Sequence, residues 1–220
     1  MTRVAIYSAL YGSYEPAKPL SVGESTPAYM FTDDPKLTID GWTVIYEPRP
    51  VTLEGRDSPM YQAKWWKTHP REALGYSADV AIWIDASITV APGFVDKALV
   101  WLGSDDWAMC KHPGRGCIYD EAVVSLSMPR YQGIGVQEQV DYYRQIGHPA
   151  NWGLFANGVS VRRLTPAVLN LGYQWWWECA TRTWQDQLSM PVLVRLAEDL
   201  KWNTNIVWGD GWSAADHPAG

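Results

Sequence analysis

Apolar residues come in short blocks along this chain, and the polar residues between them have the composition of turns and helix starts. Residues 80–90, VAIWIDASITV, form an apolar, β-branched block bounded by Asp79 and by Ala91-Pro92-Gly93. The block reads as a strand buried on both faces, with one carboxylate, Asp85, as its anomaly. Shorter strands are predicted over residues 3–8 (RVAIYS), 28–34 (AYMFTDD), 41–46 (GWTVIY) and 107–111 (WAMCK). Residues 151–161 (NWGLFANGVSV) read as a loop and strand with a turn at Asn157-Gly158.

Helices fall between these blocks. Ser58-Pro59 is a cap-plus-proline start for a helix over 59–68. Phe94, Ala98 and Leu102 recur at helical spacing before Gly103 stops the run. Val136, Val140 and Tyr143 share a face of a helix that ends at Gly147. Thr165-Pro166 opens a helix that carries Trp175, Trp176 and Trp177, and Asp186-Gln187 opens a run over 188–200 with Pro191 as an early kink. In an open α/β sheet, loops at the carboxyl ends of the strands build the ligand crevice.

At 220 residues and 47% hydrophobic content, the chain suits one sizeable core. The expectation is a single domain over 1–220, with a core of about 3–200 and a Trp- and Gly-rich tail, 201–220, folding over the site. No run of about eighteen apolar residues and no charged leader are present, so a cytoplasmic location without a membrane segment is expected. Cys110, Cys117 and Cys179 are too few and wrongly spaced for a disulfide framework or a zinc site. The net charge of −6 gives no general basic footprint for nucleic acid. Fourteen Trp against three Phe is the unusual figure: Trp stacks on sugar rings as well as filling cores, so most are assigned to the core and a few to a site.

Candidate chemistry follows the carboxylates. Asp85 and Ser87 point the same way because strand side chains alternate, and together they offer hard oxygen ligands for Mn²⁺ or Mg²⁺ beside a diphosphate; the alternative is a capped or hydrogen-bonded structural Asp. Tyr7, Tyr11 and Tyr14 flank Gly12 after the first strand, where they either contact a nucleoside or simply pack. Asp33 or Asp34 either accepts from a base or ribose or starts an Asx turn. Lys64 and Lys67 share a helix face, either solvated or with one of them on a phosphate. The decapeptide 112–121 gathers His112, Arg115, Tyr119, Asp120 and Glu121 between glycines, with Arg115 pairing Glu121 as the bracing alternative. Asp186, at a helix start, is suited to remain ionised.

Together VAIYSALYGSYE, MFTDD, VAIWIDASITV, CKHPGRGCIYDEA, GVSVRR and WQDQLSM resemble, over residues 4–190 and in that order, a glycosyltransferase-like domain family. It is named after plant proteins of turgor regulation and seed-coat mucilage and has bacterial and phage members. The resemblance implies a single-domain, GT-A-like (Rossmann-like) three-layer α/β fold with a mostly parallel, mixed central sheet. It implies a glycosyltransferase that moves a sugar from a nucleoside-diphosphate sugar to an acceptor hydroxyl, with Mn²⁺ or Mg²⁺. Asp186 is then catalytic, with Glu121; Tyr7, Tyr11, Gly12, Asp33, Lys64, Asp85 and Ser87 bind the donor; and His112, Arg115, Tyr119, Asn157, Trp176 and Gln187 meet sugar or acceptor. His217 is the candidate further ligand beside Asp85 and Ser87 on the metal, at a place where the family offers no clear motif. Two departures stand out: Asp85-Ala86-Ser87 replaces Asp-x-Asp, and Gln185 stands where the family commonly has Arg. The acceptor is a glycan, a protein, a small molecule or a modified DNA base, in the host cytoplasm if a phage encodes the chain. Two other classes compete: a non-catalytic carbohydrate-binding domain, and a glycoside hydrolase pairing Asp120 or Glu121 with Asp186.

Overall fold

The computed structural model describes residues 2–23, 25–54 and 58–214. Among them the strands are β1 (Val4–Leu10), β2 (Ala28–Thr32), β3 (Thr43–Tyr46), β4 (Val80–Ile84), β5 (Thr89–Val90), β6 (Trp107–Lys111), β7 (Phe155–Arg163), β8 (Trp202–Ile206) and β9 (Trp212–Ser213). Seven of them form one sheet in the order β3-β2-β1-β4-β7-β6-β8, while β5 and β9 make a separate ribbon. The β3-β2-β1-β4 half is parallel, and β7 runs against both of its neighbours, so the sheet is mixed but mostly parallel.

Side-chain alternation sends successive residues of the central strands to opposite faces. On one face Ile6, Ile82 and Ile84 meet Phe94, Ala98 and Leu102 of α3 (Phe94–Leu102). On the other, Tyr7, Ala81 and Trp83 meet Ala63 and Trp66 of α1 (Pro59–Thr68) and Leu74 of α2 (Pro70–Leu74). Beyond these, α4 (Ile118–Ser127) and α5 (Val136–Gln145) pack on one another through Ile118, Ala122, Val136 and Val140. Against β6 lie α6 (Pro166–Thr181) and α7 (Asp186–Leu196), through Trp175 and Met190. The result is the expected three-layer α/β arrangement.

Three local expectations change. The apolar block 80–90 is not one strand: β4 ends at Ile84, the Ile88 N–H closes a turn on the Asp85 carbonyl at 3.0 Å, and Thr89 leaves for the β5–β9 ribbon. Asn157-Gly158 lies inside β7, where the register against β6 jumps from Met109↔Ser160 to Cys110↔Ala156. That is a bulge, which turn-type residues also permit. The described part of the tail contributes the edge strand β8 and the ribbon strand β9.

Gly172 of α6 lets that helix approach the end of α1: a Cβ there would lie 2.3 Å from the Thr68 carbonyl oxygen. Gly172→Ala should therefore cost about 1–3 kcal/mol, because packed helices must separate to admit the methyl group. Chemical denaturation should show the lower midpoint; an unchanged midpoint would mean the helices are not in contact there.

Candidate active site

Strand order changes direction between β1 and β4, the place where open α/β sheets leave a crevice at the strand ends. A cavity of about 530 Å³ lies there. Tyr14 enters it from the loop after β1, Asp85 from the end of β4, and Asn157 and Gly158 from the β7 bulge. Helix α1 contributes Met60, Lys64 and Lys67, with Ser58 just before it, and the start of α7 contributes Asp186 and Gln187, with Trp184 and Gln185 just before it. Arg130 and Tyr131, in a short 3-10 turn after α4, close one side.

Four charges alternate along the wall. Lys64 Nζ lies 2.7 Å from Asp186 Oδ2, Lys67 Nζ lies 3.0 Å from the same oxygen, and Lys67 Nζ lies 3.1 Å from Asp85 Oδ1. Trp83 Nε1 donates to that Asp85 oxygen at 2.7 Å. Burial alone would raise the Asp186 pKa, but Lys64 and Lys67 outweigh it and hold the carboxyl well below its ordinary range. Burial likewise works to lower the pKa of Lys64, and Asp186 and Asp85 outweigh that, leaving it raised. Both groups are therefore ionised at neutral pH. As the first residue of α7, Asp186 also faces the positive end of that helix.

Helix α1 can present both lysines because its last turn is clamped from behind. Arg162, fully buried, donates through Nη1 to the Lys67 carbonyl oxygen at 2.8 Å and through Nη2 to the Tyr7 hydroxyl. The Tyr7 hydroxyl donates to the same carbonyl at 3.2 Å. A cation at a helix C-terminus is favoured by the helix dipole, and this one also stacks 4.9 Å over the Trp107 ring. Gly158 has a comparable local reason: a Cβ there would sit 3.3 Å from Asp85 Oδ2 and 3.0 Å from Ile88 Cδ1.

The structure gathers Lys64, Asp85, Asn157, Asp186 and Gln187 in this cavity and places the other described candidates elsewhere. Tyr7 and Tyr11 are core residues, for Tyr11 donates to the Glu47 carbonyl and accepts from Trp66 Nε1; Tyr14 is the tyrosine of that loop that reaches the cavity. Asp33 accepts from the Gly12 N–H, and Gly12, at φ +64°, passes so close to Pro59 that a Cβ would lie 2.6 Å from its ring. Both serve the loop. Ser87 turns away and donates to Glu15 at 2.6 Å, because the strand that would have aligned it with Asp85 ends first.

The decapeptide 112–121 is a brace. Glu121 is fully buried, takes Arg115 Nε at 2.6 Å and Gln185 Nε2 at 3.1 Å, and does not line the cavity. Gln185 needs no charge because Arg115 already supplies one to the same carboxylate. His112 Nδ1 accepts from the Gly114 and Arg115 N–H groups, and burial, then Arg115, lowers its pKa, so it is neutral. Tyr119 donates to the His148 carbonyl at 2.6 Å. Trp176 packs edge-on against Trp65, leaving Trp184 as the site tryptophan, its ring 4.7 Å from that of Tyr131. The motif WQDQ carried that signal in its first letter.

Two polar atoms at the wall are buried without a hydrogen-bond partner: Ser58 Oγ, which caps nothing despite its position, and Asn157 Nδ2 on a residue 6% exposed. Lining the cavity, both are open to a hydrogen bond with a ligand or an ordered water. The donor set for a divalent cation is not assembled among the described residues. Lys67 occupies one face of Asp85, Ser87 is turned to Glu15, no cluster of three or more His, Cys, Asp or Glu side chains forms, and His217 lies outside the described residues. An ammonium about 4 Å from such an ion would oppose it by roughly 4 kcal/mol per unit of its charge at the effective dielectric of such sites.

A family model described as TOD1/MUCI70, glycosyltransferase-like domain, matches residues 73–209, which is more than half of the chain. The chain belongs to that family. The TOD1/MUCI70 match includes Asp85, the 112–121 brace and Asp186 but begins after α1, so both site lysines lie outside it. No curated protein matches the chain. Two solved structures are similar to it: the apo structure of WbbM, a bifunctional glycosyltransferase, with TM-score 0.49 and 10% identity over 87% of this chain and 37% of that one, and apo mouse xyloside xylosyltransferase 1, with TM-score 0.48 and 7% identity over 92% of this chain and 84% of that one. The chain thus spans little more than a third of WbbM. No helix of the described residues is long and apolar enough to cross a membrane.

Asp186→Asn leaves two buried ammonium groups short of a counter-charge and should destabilise the protein by about 3 kcal/mol at pH 7. A carboxyl whose pKa is depressed in the folded state stabilises above its unfolded pKa, and that contribution is lost as pH falls toward the folded value. The gap between wild type and variant should therefore be flat near neutrality and close below the ordinary value of 3.8, as followed by denaturant titrations at several pH values.

Proposed function

We propose that this chain is a GT-A-type glycosyltransferase that moves a sugar from a nucleoside-diphosphate sugar to an acceptor hydroxyl. The observation that carries the reading is the row Lys64–Asp186–Lys67–Asp85 on the wall of a cavity at the strand ends, in a member of a glycosyltransferase-like family. When the bond from the anomeric carbon to the β-phosphate oxygen breaks, its electron pair goes to that oxygen and the carbon gains positive character. The ammonium groups meet the first charge, and the Asp186 carboxylate meets the second.

The tilted Tyr131 and Trp184 rings, with Met60, offer apolar faces to a sugar or base, while Asn157 Nδ2 and Ser58 Oγ offer hydrogen bonds to its hydroxyls. Tyr14, 39% exposed at the cavity, offers a phenol O–H as a further donor. As the acceptor oxygen bonds to the anomeric carbon, its proton must leave. Asp186, held ionised by two lysines, is a poor base; the departing phosphate, which protonates near pH 6, is a better one. That assignment favours attack beside the leaving group and retention of configuration. An ionised Asp186 suits the nucleophile or base of a glycosidase, but neither Asp120 nor Glu121 lines the cavity to act as its partner acid, which disfavours the hydrolase reading.

A panel of nucleoside-diphosphate sugars, assayed for release of nucleoside diphosphate, tests this reading. One donor should be consumed, and Asp186→Asn should lower turnover by about 10²-fold or more, as for loss of a charge-stabilising group. Trp176→Ala and His112→Ala should stay within about threefold of wild type, since neither residue touches the cavity. If no donor is consumed and glycans bind without any nucleotide, the chain is a binding module instead. The anomeric proton coupling in the product, read by NMR, should report retention.

A further inference from the structure

We propose that Lys64 and Lys67 are the resident counter-charge for the donor's diphosphate, fixed in place by Asp85 and Asp186, and that donor binding requires no divalent cation. This rests on the donor reading above and says which group of the site takes the phosphates.

The placement of charge carries the inference. Asp85, just past the end of β4, is the carboxylate best placed to hold a cation beside a diphosphate, and a cation is already there: Lys67 Nζ, 3.1 Å from Oδ1. That ammonium is not a passing surface group, for the Lys67 side chain is 3% exposed and its backbone carbonyl is gripped by Arg162 and Tyr7. Displacing it would strand a buried charge, since Asp186 is shared with Lys64 already. Ser87, the second oxygen that a chelate would need, is committed to Glu15 on the far side of the turn.

The lysines have capacity to spare. An ammonium carries three N–H donors; the contacts above use two on Lys67 and one on Lys64. Both side chains line the cavity, so their remaining donors serve phosphate oxygens without loss of the contacts that hold them. In this arrangement the carboxylates anchor the lysines, and the lysines bind the anion. Asp85 then acts as a positioning residue and not as a metal ligand.

Isothermal titration calorimetry of UDP, GDP, ADP and CDP into the wild-type protein tests the proposal, first in EDTA and then in Mn²⁺. At least one nucleotide should bind in EDTA, with Mn²⁺ changing its Kd by less than about threefold. Lys64→Met should weaken binding about tenfold or more, and Lys64→Arg should restore most of it, because the charge returns. Binding seen only with Mn²⁺, or strengthened tenfold or more by it, overturns this inference and leaves the donor reading standing. If no nucleotide binds in either buffer, the donor reading falls and takes this inference with it. The wild-type comparison needs no variant, so misfolding of a lysine variant cannot mask the result.

Discussion

Burying charge is costly, and the cavity is organised by how that cost is met. Lys64, Asp186, Lys67 and Asp85 alternate in sign, so each buried group has an opposite neighbour within about hydrogen-bond distance. The row ties three separate elements together: α1 supplies both cations, α7 one anion, and the end of β4 the other. Its contribution to stability is secondary, since a hydrophobic replacement of similar volume often does as well. What it fixes is a pair of ammonium groups at the crevice that opens where the strand order reverses.

Much of the surrounding structure holds that row in register. Arg162 and Tyr7 fasten the end of α1 from within the sheet, and Gly172 lets α6 press on the same turn. On the opposite side, Arg115, Glu121 and Gln185 link the decapeptide loop to the residue preceding α7. The chemistry-rich loop thus supports the site through Gln185 and takes no part in its wall. Composition had marked it as reactive, whereas Arg115 and Glu121 satisfy one another.

Trp usage divides in the same way. Trp107 and Trp175 fill the core, Trp65 and Trp176 pack edge-on, and Trp184 borders the cavity beside Tyr131. All five are chemically capable of stacking on a sugar. Their places differ because helix position and the neighbouring element decide which ring meets solvent, and neither is written in residue type.

The sequence by itself determined the elements and the anomalies. Helix α1 was legible from the Ser58-Pro59 start, and β6 from a five-residue apolar block, because both signals are local. Asp85 stood out as a carboxylate in an apolar run, and Asp186 as an acid at a helix start, and both reach the cavity. Only the tertiary structure decided which groups converge. Ser87 was lost when β4 stopped at Ile84, Glu121 when Arg115 enclosed it, and the two lysines became ion-paired when α1 met α7 across 122 residues of chain. Periodicity and capping are properties of neighbours along the chain, whereas the pairing of buried charges depends on packing between segments that sequence order does not bring together.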